Sequence, residues 1–144
     1  MINKIPVRIV IGDGKLPVKF ICPGPFGCIF ILSDGSIWDT PTTKIQVPEK
    51  IEEAWGGVGL WIIMMSENGN LYKLGRIDCE THYTYPLLMT GLPFEKNEIL
   101  QCAAGEHSFY VLTKSGKVFG IGRNDNGIFF SFRTDPFILR TTWK

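Results

Sequence analysis

One frame recurs three times along the chain. The first copy is Ile29-Phe30-Ile31-Leu32, then Ser33-Asp34-Gly35-Ser36, then Ile37-Trp38. The second is Ile62-Ile63-Met64-Met65, then Ser66-Glu67-Asn68-Gly69-Asn70, then Leu71-Tyr72. The third is Phe109-Tyr110-Val111-Leu112, then Thr113-Lys114-Ser115-Gly116-Lys117, then Val118-Phe119. Each copy is an apolar strand, a short polar turn holding one glycine, and a strand with an aliphatic–aromatic pair. Such a turn uses a left-handed residue, a conformation glycine adopts at little cost. Adjacent strand residues point to opposite faces, so one member of each pair fills a core within its own layer and the other the layer beside it. The glycines at 35, 69 and 116 are 34 and then 47 residues apart. Repeats at about 20–50 residues signal stacked supersecondary units.

The rest of the chain agrees with an all-β reading. Sixteen glycines, nine prolines and 12% aromatics suit short strands joined by tight turns. Apolar runs predict strands at 7–11, 18–22, 28–32, 60–65, 70–74, 99–103, 109–112, 118–121 and 128–132. Several of these runs are apolar at consecutive positions, the pattern of a strand covered on both faces. The polar stretch 48–54, stopped by Gly56-Gly57, predicts the only helix.

The third copy extends into a longer pattern. It runs Ala103-Ala104-Gly105-Glu106-His107-Ser108, Leu112-Thr113, Gly116-Lys117-Val118-Phe119 and Gly122-Arg123-Asn124-Asp125-Asn126-Gly127. This resembles one repeat of the regulator-of-chromosome-condensation family, whose marks here are Gly105, His107, Ser108, Gly116, Gly122, Asn124 and Gly127. The second copy keeps Gly57, Gly69, Leu71-Tyr72 and Gly75, but Val58-Gly59-Leu60-Trp61 stands where His-Ser would be. The first keeps Gly24, Leu32, Gly35 and Ile37-Trp38, with Asp39-Thr40-Pro41 in place of the closing glycine. The resemblance implies an all-β fold, a short or partial β-propeller of about three blades in one repeat domain over 1–144, with units at about 18–47, 48–95 and 96–144. Family rings have about seven blades, so an arc of three leaves exposed sheet flanks. The chain is then a piece of a larger product, an arc that self-associates, or an arc closed by a partner.

The sequence offers little for bond-making chemistry. His107-Ser108 invites a base–nucleophile reading, but strand neighbours face opposite ways, and the resemblance makes the pair structural. Cys79 and His82, with Cys22 and Cys28, lack the two close pairs of a structural zinc site. Cys22, Cys28 and Cys102 read instead as small buried strand residues. Asn124-Asp125-Asn126-Gly127 has Gly122 where a calcium loop needs Asp. No glycine stretch has phosphate-loop spacing. No catalytic, metal or cofactor site is therefore expected. Trp38, Trp55, Trp61, Trp143, Tyr72 and Phe119 read as blade packing. Tyr83, Tyr85, Phe129 and Phe130 fall in linkers or where the repeat breaks, and are the candidate partner contacts.

A net charge of +1 gives no broad basic face for nucleic acid, and Lys4, Arg8, Lys15 and Lys19 are scattered. The longest apolar runs fall short of the ~20 residues of a membrane span. No secretory leader or C-x-x-C pair is evident, which predicts a soluble intracellular protein, cytoplasmic or nuclear, with reduced thiols. The expected function is a non-catalytic protein-interaction module. The alternative, implied by the resemblance, is guanine nucleotide exchange on a small GTPase. An enzyme using His107 or the thiols is the third reading.

Overall fold

The same turn closes three hairpins. In the first, the Leu32 N–H donates to the Ser36 carbonyl and the Gly35 N–H to the Leu32 carbonyl, both at 2.9 Å. Ser66 and Gly69 repeat the two bonds in the second hairpin, and Thr113 and Gly116 in the third, again at 2.9 Å. The glycine φ values are +81°, +86° and +83°, so all three turns use the left-handed residue the sequence supplies. The computed structural model describes residues 5–24, 27–57, 60–76 and 83–122.

The hairpins sit inside three antiparallel sheets. The first runs β1 (Val18–Gly24), β2 (Gly27–Leu32), β3 (Ile37–Trp38), β4 (Lys44–Ile45). The second runs β5 (Ile51–Gly57), β6 (Trp61–Ser66), β7 (Leu71–Gly75), β8 (Tyr83–Leu88). The third has three strands among the described residues: β9 (Ile99–Ala104), β10 (Ser108–Thr113) and β11 (Val118–Gly122). A single 3-10 turn at Lys96–Glu98 leads into it. Each sheet is a simple meander, and β1, β5 and β9 are neighbours, as the inner strands of adjacent propeller blades are.

Two cores separate the sheets. Ile29, Ile31 and Ile37 of the first sheet meet Ile51, Ala54, Ile62, Met64 and Tyr72 of the second. Trp61, Ile63, Met65 and Leu71 of the second meet Phe109, Val111 and Ile121 of the third. Strand β6 is buried at every position because alternate residues serve opposite cores. This is why its sequence is apolar without alternation. Leu71 and its neighbour Tyr72 likewise enter different cores. Each sheet thus has a leading face, turned toward the following sheet, and a trailing face, turned toward the preceding one.

Three expectations change. Residues 48–54 do not form a helix; strand β5 begins at Ile51 and pairs with β6, because Ile51, Ala54 and Gly56 must fit between two sheets. Residues 7–11 form no strand. Their β-branched composition supplies no partner edge, and only Ile11 is buried, while the Gly12 N–H is held by the Pro41 carbonyl at 2.7 Å. Tyr83–Pro86, read as linker, belongs to β8, an outer strand where proline is tolerated. The predicted strand 128–132 lies outside the described residues. No helix among the described residues is long and apolar enough to cross a membrane.

Candidate interaction surface

The repeat marks occupy structural positions. Strand β10 begins at Ser108, which is buried, and its carbonyl accepts the Gly105 N–H at 2.7 Å. His107 precedes the strand, partly buried, with Nε2 3.5 Å from Glu106 Oε1. The His107 carbonyl lies against Gly122, whose φ of +128° leaves no room for a Cβ. The second sheet repeats this contact with other residues: the Leu60 carbonyl lies against Gly75, and Leu60 itself has φ +62°. Leu60-Trp61 therefore stands where His107-Ser108 stands. Asn124 and Gly127 lie outside the described residues.

Trp61 does what a serine cannot. Fully buried, it donates its indole N–H to the Glu106 carbonyl at 2.6 Å and meets the Phe109 ring edge-on at 6.5 Å. The second sheet is thereby tied to the turn before β10.

Two of the thiols, Cys22 and Cys102, are held protonated. Burial, then the neighbouring Cys28, pushes Cys22 up to about 11. Burial, then Glu53, pushes Cys102 up to about 12. Neutral thiols are poor nucleophiles and poor metal ligands. Cys22 pairs with Ile29 and Cys28 with Pro23, so the two cysteines point to opposite faces of one hairpin and do not converge. Cys79 and His82 lie outside the described residues.

The polar cluster around Glu49 was not legible in the sequence. Its carboxylate accepts Asn68 Nδ2 at 2.6 Å, Asn70 Nδ2 at 2.9 Å and the Tyr72 hydroxyl at 2.6 Å. These bonds, Tyr72's first, hold Glu49 down at about 2, while burial and then Glu49 push Tyr72 up to about 12. The cluster pins the link before β5 to the β6–β7 hairpin, a structural clamp. Because the folded carboxyl is the stronger acid, its stabilisation is complete above the unfolded value near 4.5 and is lost as pH falls through about 2. Glu49→Gln is expected to cost about 1–2 kcal/mol at neutral pH. The gap should close toward pH 2 in thermal melts. A gap that stays constant with pH would assign the loss to shape and not to charge. Buried Lys73 on β7 was also illegible in the sequence.

The candidate partner contacts divide. Tyr85, on β8, is 67% exposed, and Leu88 on the same strand is 44% exposed. Tyr83 opens that strand. Phe129 and Phe130 lie outside the described residues. Trp55, Trp61, Tyr72 and Phe119 pack in the two cores.

No family model matches the sequence, and no curated protein matches it. Solved structures do. Human WBSCR16 superposes with a TM-score of 0.57 at 18% identity, over 78% of this chain and 34% of its own. Yeast RCC1 (Prp20), in its complex with Kap60, superposes with a TM-score of 0.53 at 17% identity, over 73% of this chain and 32% of its own. The chain spans about a third of either structure. Its fold is a partial β-propeller of the RCC1 type.

Proposed function

We propose that this chain is a non-catalytic protein-interaction module, acting inside the cell. The observation that carries the reading is the contrast within the second sheet. Strands β6 and β7 are almost wholly buried, whereas the outer strand β8 presents Tyr85 and Leu88 to solvent. An exposed tyrosine is the residue type that protein-interface hot spots favour. His107 and Ser108 serve the strand boundary, and two of the thiols are held neutral, which supports a role without chemistry. The RCC1 structure, solved bound to Kap60, is a fold neighbour that engages a protein.

A photo-crosslinking residue at Tyr85 tests the reading. It should capture one discrete protein in cells, and Tyr85→Ala should weaken binding of that protein at least tenfold, about 1.4 kcal/mol. Diffuse labelling, equal to that from an exposed site on another face, would overturn it. The exchange reading has its own assay, release of fluorescent GDP from purified small GTPases. Acceleration by the 144-residue chain would replace the first reading with the second.

A further inference from the structure

We infer that two copies of this chain pack head to tail, the leading face of the third sheet in one copy seated on the trailing face of the first sheet in the other. The inference is independent of the Tyr85 reading, since Tyr85 lies on the outer strand of the second sheet.

Among the described residues, one interface occurs twice within the chain and is left open at both ends. Ile37, Leu71 and Val118 hold the same place, six residues past the strand partner that faces each across its hairpin turn. That partner is Ile31 for Ile37, Met65 for Leu71 and Leu112 for Val118. Ile37 and Leu71 are each 1% exposed because a following sheet covers them, whereas Val118 is 65% exposed. The turn glycines tell the same story. A Cβ on Gly35 would meet Lys50 at 2.6 Å and one on Gly69 would meet Lys96 at 2.6 Å, each in the lead-in to the next sheet. A Cβ on Gly116 would meet nothing within 4 Å.

The trailing face of the first sheet is the matching open end. Strand register places Ile21 with Ala54 and Cys102, each second from its strand's inner bulge. Ala54 is 0% exposed against the preceding sheet, while Ile21 is 62% exposed. Lys15 corresponds to Lys96. Each lies two residues before a carbonyl, of Pro17 or Glu98, that accepts an N–H from its own sheet's hairpin turn. Lys96 reaches back to the Glu67 carbonyl at 2.8 Å and to Glu52 at 2.5 Å. Among the described residues Lys15 is exposed and held only by nearby Asp13, and in a second copy it would reach the equivalent Lys114 carbonyl.

Propeller geometry sets the number of copies. Head-to-tail contacts either close into rings or grow without end. Propellers close at about 4–8 blades, so two copies of three blades fall within the range and three copies do not.

Light scattering on a sizing column tests this with the 144-residue chain. Wild type should elute at twice its 16.2 kDa. Val118→Glu and Ile21→Glu, both at exposed positions, should each give a folded monomer by circular dichroism. An equimolar mixture of the two variants should recover a dimer, because one of its two interfaces is then unmutated on both sides. A wild-type monomer at the highest soluble concentration would overturn the proposal. So would a dimer that Ile21→Glu leaves intact, or a mixture that stays monomeric.

Discussion

Replacing Trp61 by alanine should remove a large share of the protein's stability. The side chain is fully buried between the second and third sheets, and it packs against Phe109. Truncating a buried aromatic costs about 3–5 kcal/mol. A domain of this size has about 5–15 kcal/mol in total. The Glu106 carbonyl, which accepts the indole N–H, would lose its donor as well. Trp61→Phe narrows the two contributions, since it keeps one aromatic ring in the core while removing the donor and the smaller part of the indole. That variant should lose about 1–3 kcal/mol. Urea denaturation followed by circular dichroism gives both values. An alanine variant within about 1 kcal/mol of wild type would mean that the two sheets do not depend on this contact.

Gly75→Ala should rival it. The backbone there has φ +88°, and an added Cβ would strike the Leu60 carbonyl oxygen and come within 2.9 Å of Trp61 Cα. Both obstacles are backbone, so no side-chain rotation relieves them. The left-handed conformation alone costs an L-residue about 1–2 kcal/mol. Parting β6 from β7 raises the loss to about 3 kcal/mol or more. Gly116→Ala is the internal control. Its φ is nearly the same at +83°, and within one copy the space above it is empty, so with both glycine variants made in the Ile21→Glu background, which keeps the chain monomeric, only the conformational cost of about 1–2 kcal/mol applies here. Equal losses at the two positions would sink the steric account.

The contrast between these glycines shows what a sequence can and cannot convey. The three turns were legible because each depends on residues within a few positions of one another, and the hydrogen bonds repeat without change. Strand β6 was legible because burial on both faces writes an uninterrupted apolar run. Strand β5 was not. Glu49, Lys50, Glu52 and Glu53 give its neighbourhood a helical look, and only contact with β6 and the first sheet makes it extended. Strand β8 was hidden by Pro86, which an outer strand accepts. The Glu49 cluster joins residues 19 to 23 positions apart, and nothing local announces it. For the candidate site, the exposure of Tyr85 was legible only as a break in the repeat. Residues 58–61 were legible as the counterpart of His107-Ser108, and two glycines facing two carbonyls narrow that counterpart to Leu60-Trp61.

That equivalence has a bearing on how the chain reaches its fold. Near-identical neighbouring units can exchange strands during folding, and mispaired assemblies are a common failure of repeat proteins. Here the middle unit carries Trp61 where the third carries Ser108, and the indole finds its acceptor only at the Glu106 turn. If the two hairpins traded places, a large ring would fall in a serine's space and its N–H would face no carbonyl. The divergence of the middle unit thus acts as an address, steering each hairpin to its own place in the arc.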